Sequence, residues 1–75
     1  MSAQNIADRA DMIVAGYAYT VYPEYIEVFD LGDLSKRAVL QNGEVVESMM
    51  SDEEDDIVLN YYLWNKEILE ASINA

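Results

Sequence analysis

The fold is decided by residues 37–48, which read RAVLQNGEVVES. Asn42 and Gly43 separate two short runs that are rich in aliphatic and β-branched residues. Asn-Gly in this position is the strongest short-range signal for a β-hairpin, because both residues accept the positive φ that a tight hairpin turn requires. The sequence therefore predicts two antiparallel strands, at residues 37–41 and 44–48.

Two further strands are predicted before this hairpin. Residues 17–22 read YAYTVY and residues 25–31 read YIEVFDL, and such aromatic and β-branched content favours extended backbone. Pro23 has no N–H for a ladder and marks the break between them. A short helix over residues 25–31 is the alternative, since Pro23 can occupy a first helical turn. A turn is predicted at Gly32, Asp33 and Ser35.

A helix is predicted at each end of the chain. Ser2 can cap the first helix, which is expected to stop at Gly16, although residues 12–15 can instead begin a strand. Ser51 and Glu54 have the spacing of a capping box and open the second helix, expected over residues 52–71. The predicted apolar stripe of that helix is Ile57, Tyr61, Trp64 and Ile68, widened by Val58 and Leu69.

These elements predict a single domain, residues 1–75, of the α+β class. The expected architecture is a small antiparallel sheet of three to four strands, with an N-terminal helix and a C-terminal amphipathic helix packed on it. No apolar run approaches the length that spans a bilayer, and the absence of cysteine means that no disulfide is possible. A cytoplasmic protein is the default expectation.

Composition argues against catalysis. The chain contains no histidine and no cysteine, which removes the commonest general base, metal ligand and strong nucleophile. Its three glycines are isolated turn residues and form no phosphate-binding loop. We therefore expect no enzyme activity, no catalytic residue, no cofactor and no metal site.

Net charge is the most unusual property of the sequence. Fifteen acidic residues face four basic ones, which gives a formal charge of −11 and a pI near 4.1. Such a chain repels nucleic acid and anionic membranes and attracts a basic protein. The alternative is that the negative charge only maintains solubility.

The acids fall into two series. The run from Asp52 to Asp56 begins the second helix, where carboxylates interact favourably with the helix dipole, although five adjacent acids exceed that need. The run lacks the alternating ligands and central glycine of a calcium-binding loop. The candidate partner-binding residues are Asp52, Glu53, Glu54, Asp55 and Asp56, followed by the second series, Glu24, Glu27, Asp30 and Asp33.

Tyrosine supplies a second type of candidate contact. Six tyrosines are many for 75 residues, and tyrosine is enriched at protein interfaces. Adjacent Tyr61 and Tyr62 cannot both face inward from one helix stripe, so at least one is expected at the surface. Tyr62 is the candidate contact residue, and it would also serve a homodimer.

In size, charge and lack of catalytic residues the chain resembles small phage-borne counter-defence proteins, such as anti-CRISPR and anti-restriction proteins. That resemblance implies an inhibitor that docks on a basic, nucleic-acid-binding surface of a partner and mimics nucleic acid there. The alternative is a structural or assembly protein that forms a homo-oligomer through an aromatic surface.

Overall fold

The computed structural model describes the backbone of residues 2–74 and the side chains of residues 2–67. Five strands form one antiparallel sheet in the order β1-β2-β3-β4-β5, so each strand pairs with its neighbour in sequence. The predicted α+β class is confirmed, with one strand more than the three to four expected. The elements are α1 (Ala3–Arg9), β1 (Met12–Val14), β2 (Tyr17–Val21), β3 (Ile26–Asp30), β4 (Asp33–Gln41), β5 (Glu44–Ser48) and α2 (Asp52–Asn74).

The predicted hairpin is confirmed between β4 and β5. Asn42 and Gly43 have φ values of 55° and 78°, and Gln41 pairs with Glu44 across the turn. Val39 pairs with Glu47 and Leu40 with Val45, so the ladder contains one extra residue on β5. This extra residue is a β-bulge, a device that bends and twists an edge strand.

The first helix is shorter than the sequence predicts. The N-cap is correct, because Ser2 Oγ accepts a hydrogen bond from the Asn5 N–H at 3.2 Å. The helix ends at Arg9, however, rather than at Gly16. The alternative, a strand within residues 12–15, is confirmed as β1. A two-residue turn, residues 15–16, joins β1 to β2, and both of its residues have positive φ. Asp11 holds the chain beside β2, since its N–H donates to the Tyr19 carbonyl and its carboxylate accepts from the Val21 N–H, both at 2.8 Å.

The predicted strand over residues 25–31 is confirmed as β3, and the alternative of a helix there is wrong. The turn predicted at Gly32, Asp33 and Ser35 is displaced, because β4 already begins at Asp33 and only residues 31–32 turn. The polar side chains do make turn-type hydrogen bonds, with Asp33 Oδ1 accepting from the Ser35 N–H and hydroxyl at 3.1 and 2.6 Å. These hydrogen bonds lie within the exposed first residues of β4. The same residue types are typical of turns, which is why the sequence predicted a longer turn here.

Both faces of the sheet are covered at least in part. On one face, α2 contributes Val58 and Tyr62 to a core that includes Tyr19, Val28 and Leu40 of the sheet. On the opposite face, Ile6 of α1 packs against Ala18 and Phe29. Adjacent residues on β2 and on β3 are therefore buried on opposite sides, which explains why these strands read as continuous apolar runs. Among the described residues, no helix is long and apolar enough to cross a membrane.

The rotation of α2 on the sheet differs from the predicted stripe. Val58 is fully buried and Tyr62 is 8% exposed, whereas Ile57 and Trp64 face solvent with 37% and 74% of their surface exposed. The buried Tyr19 hydroxyl donates to the Val58 carbonyl at 2.7 Å and so fixes which side of the helix meets the sheet. The side chains of Ile68 and Leu69, the remaining members of the predicted stripe, lie outside the described residues.

Tyr19→Phe tests this contact through its pH dependence. Burial raises the pKa of Tyr19 well above its ordinary value of 10.0. Because the unfolded chain releases this proton first, the contribution of Tyr19 to stability is complete below pH 10 and decreases above it, by about 1.4 kcal/mol per pH unit.

We expect Tyr19→Phe to lower the free energy of unfolding by about 1 kcal/mol at pH 7, through loss of the hydrogen bond. Urea titrations of both proteins should show this difference shrinking to zero by about pH 11. A difference that stays constant from pH 7 to 11 would mean that the Tyr19 hydroxyl is not buried in the folded protein.

Candidate protein-binding surface

Ser51 caps the first turn of α2 as the sequence predicts, but the Glu54 carboxylate meets the Ser51 hydroxyl rather than its backbone N–H, so only half of the predicted capping box forms. The Glu54 N–H donates to Ser51 Oγ at 3.1 Å, and the Ser51 hydroxyl lies 3.3 Å from Glu54 Oε1. Acids at the start of a helix interact favourably with the partial positive charge of its exposed N–H groups. The Ser51 cap therefore fixes where the helix, and with it the acidic run, begins along the chain.

A second contact ties this turn to the end of β5. The Ser48 hydroxyl donates to Asp55 Oδ1, while Ser48 Oγ accepts from the Met50 N–H at 2.8 Å. Both Ser48 and Asp55 are half-buried. Asp55 thus anchors the helix start, and its carboxylate is turned toward the protein.

Lys36 of β4 brings the acids of the sheet and the helix together. Its Nζ lies 3.2 Å from Glu54 Oε1. The hydrogen bond and the charge of Glu54, followed by the charges of Asp30 and Asp33, raise the pKa of Lys36 above its ordinary value. Lys36 therefore lies in the field of carboxylates from three elements, β3, β4 and α2.

Tyr17 lies beside the same carboxylates. Its hydroxyl is 3.5 Å from Glu54 Oε2, and it pairs with Asp30 across the β2–β3 ladder. Burial first, and then the charges of Glu54 and Asp30, raise the pKa of Tyr17. Tyr17 of β2 therefore contacts both the end of β3, through Asp30, and the first turn of α2, through Glu54.

These contacts place Asp30, Asp33 and Glu54 around Lys36, next to the acidic run that begins α2, and we call these acids together the acidic end. Glu54 and Asp55 face the protein, whereas Asp52, Glu53 and Asp56 are exposed. The exposed carboxylates are therefore available to a partner without breaking a contact of the fold. The members of the acidic end are Asp30, Asp33, Asp52, Glu53, Glu54, Asp55 and Asp56.

The other two acids of the second series lie elsewhere. Glu24 lies in the bend before β3 and Asp30 is the last residue of that strand, so the two acids lie at opposite ends of a strand about 13 Å long. Glu27 points to the opposite face of the sheet, where its Oε2 accepts from Arg37 Nε at 2.7 Å. The structure brings Asp30 and Asp33 to the helix start and leaves Glu24 and Glu27 apart from it.

The aromatic residues of α2 also differ from the sequence expectation. Tyr62, the predicted contact residue, is part of the core and reaches the surface with only 8% of its area. Trp64 is exposed instead, together with Leu63 at 48%. No periodicity in the sequence could have shown this, because Val58–Tyr62 and Ile57–Trp64 are equally regular helical stripes.

Outside the acidic end, the described surface includes an open depression. Among residues 2–67, no group of three or more acidic side chains is arranged to hold a metal ion. An open depression of about 290 Å³ lies on the α1 side of the sheet, lined in part by Tyr25, Arg37, Val39 and Val46. Arg37 in this depression is paired with Glu27, and the exposed Glu24 and Glu47 complete the charged part of its lining.

A protein-family model of unknown function, DUF7723, matches residues 1–69. The chain belongs to this family. The match includes α1, all five strands and the acidic end, so the candidate surface is part of the DUF7723 domain. Neither the curated proteins nor the solved structures contain a match to the chain.

Two neighbouring acids of the acidic end provide a matched test of this geometry. Asp55→Ala removes the acceptor of the Ser48 hydroxyl, and we expect it to lower the free energy of unfolding by about 1 kcal/mol. Asp56→Ala removes the same charge from an exposed site, and we expect a change within about 0.5 kcal/mol. Urea denaturation of both variants measures the difference, and equal effects would contradict the anchoring role of Asp55.

Proposed function

We propose that the protein binds a basic, nucleic-acid-binding surface of a partner protein and inhibits the partner by occupying that surface. The observation that carries the proposal is the acidic end, where carboxylates from β3, β4 and α2 gather around Lys36. An extended field of one sign accelerates the encounter with an oppositely charged partner and disfavours wrong ones.

The exposed acids of α2 have a charge density that supports mimicry of nucleic acid. Asp52, Glu53 and Asp56 are exposed within about 6 Å of helix axis, at a rise of about 1.5 Å per residue. Their mean axial spacing is thus close to the roughly 3.4 Å between phosphates along one DNA strand. A partner surface that binds phosphates through their charge would find a similar density of negative charge at the start of α2.

The fold supports the proposal by holding these acids on a rigid base. Three contacts fix the start of α2: the Ser51 cap, the Ser48–Asp55 hydrogen bond and the Lys36–Glu54 ion pair. Since these contacts order the backbone that carries the exposed acids before binding, little backbone conformational entropy is lost when a partner engages them. A disordered acidic tail would lack this advantage.

Two variants with the same net charge test whether the acidic end is the binding surface. The first replaces Asp52, Glu53 and Asp56 by Asn, Gln and Asn. The control replaces Glu24, Glu44 and Glu47 by Gln, which removes three exposed charges away from the acidic end. Each protein is immobilised and used to capture partners from host lysate at low salt, and the dissociation constant of each captured partner is then measured.

We expect the wild type and the control to capture the same basic protein, and the first variant to bind it about tenfold more weakly. Added DNA or RNA should compete with the complex, and affinity should fall steeply with salt. Equal weakening by both variants would show that net charge alone is responsible. A partner whose complex is indifferent to nucleic acid would contradict the inhibitory mechanism.

A homo-oligomer is the second candidate function, and the exposure of Leu63 and Trp64 is the observation that favours it. Its diagnostic substitution is at Trp64 rather than at Tyr62, because Tyr62→Ala would open a cavity in the core. Concentration-dependent sedimentation separates this candidate from the first.

A further inference from the structure

The outward side of α2 carries an apolar patch with acids around it. Its residues recur every three or four positions, and all of them are exposed: Glu53, Asp56, Ile57, Asn60, Leu63, Trp64 and Glu67. We call this set the outer row. The apolar members are Ile57, Leu63 and Trp64, with 37%, 48% and 74% of their surface exposed. The outer row shares Glu53 and Asp56 with the acidic end and extends it along the helix.

The side chain of Trp64 contacts Tyr61, which lies between it and the core. The rings of Tyr61 and Trp64 meet edge to face, with centroids 5.8 Å apart and an interplanar angle of 87°. Tyr61 is half-buried and packs against the core formed by α2 and the sheet. The indole is therefore an exposed aromatic anchor whose freedom is already restricted, the kind of residue that dominates binding energy at interfaces.

We propose that the outer row binds an arginine-bearing segment of the partner protein, with a guanidinium group stacked on Trp64. This inference rests on the proposed function and names the chemistry that the partner contributes. Charge complementarity selects the occupant, because the outer row holds three acids, Glu53, Asp56 and Glu67, against one exposed lysine, Lys66, beside it. A planar, weakly hydrated guanidinium stacks on an indole face and pairs with a carboxylate at the same time, which an ammonium does less well.

A second copy of the chain fits this surface poorly. In a twofold dimer the same surface meets itself, so the acidic border of one copy would face that of the other. Each copy carries a formal charge of −11, which adds repulsion over the whole molecule. The apolar patch and its border together favour a cationic partner over self-association.

The test compares deca-arginine with deca-lysine as probes. Fluorescently labelled peptides are titrated with the wild type, Trp64→Leu and Trp64→Phe at low salt, and anisotropy gives the dissociation constants. Trp64→Leu keeps apolar area without an aromatic face, whereas Trp64→Phe keeps a weaker face. Because Trp64 is largely exposed, the variants should retain the wild-type circular dichroism and urea midpoint.

We expect the preference for deca-arginine over deca-lysine to fall about two- to fivefold in Trp64→Leu and to be partly restored in Trp64→Phe. Since Trp64 is the sole tryptophan, deca-arginine should also change the intrinsic emission of the wild type. An unchanged preference in Trp64→Leu, with both peptides still bound, would overturn the inference and leave the proposed function standing.

Two other results would be decisive. Failure of both peptides to bind the wild type at low salt would contradict the proposed function itself, and with it the inference. A wild-type dimer in sedimentation that Trp64→Leu converts to a monomer would overturn the inference in favour of self-association through the outer row.

Discussion

The docking of α2 on the sheet depends on one buried contact, in which Val58 and Tyr62 pack on the sheet and the Val58 carbonyl accepts a hydrogen bond from the Tyr19 hydroxyl. A buried hydroxyl without a partner is costly, so the helix cannot rotate freely on the apolar face that Tyr19 shares with Val28 and Leu40. This contact places Val58 and Tyr62 inward. It thereby decides, residue by residue, what the long C-terminal helix presents to solvent.

The arrangement of charge follows from that rotation. With Val58 facing the sheet, Glu54 contacts Lys36 and Asp55 contacts Ser48. The remaining acids of the run, Asp52, Glu53 and Asp56, are exposed to solvent. Adjacent carboxylates thus divide between holding the fold and facing solvent. The same rotation leaves Trp64 outside, so that acidic and aromatic surface run together along one side of the helix.

Local chemistry was predictable from the sequence, and long-range geometry was not. Asn42-Gly43 and the Ser2 and Ser51 caps follow local rules, and each is confirmed, although only half of the Ser51–Glu54 capping box forms. The short strand β1 was ambiguous, because its pairing depends on Asp11 reaching β2. The choice between the two helical stripes of α2 depends on packing and a hydrogen bond with strand residues far away in sequence, such as Tyr19, which is 39 residues before Val58.

The emission of Trp64 tests this account most directly, because it is the sole tryptophan and its exposure depends on the rotation of α2. We predict that acrylamide quenches the folded protein nearly as strongly as the urea-unfolded chain, with an emission maximum close to that of the unfolded chain. A blue-shifted emission and weak quenching in the folded monomer would mean that Trp64 faces the sheet, which would contradict both the docking of α2 and the surface derived from it.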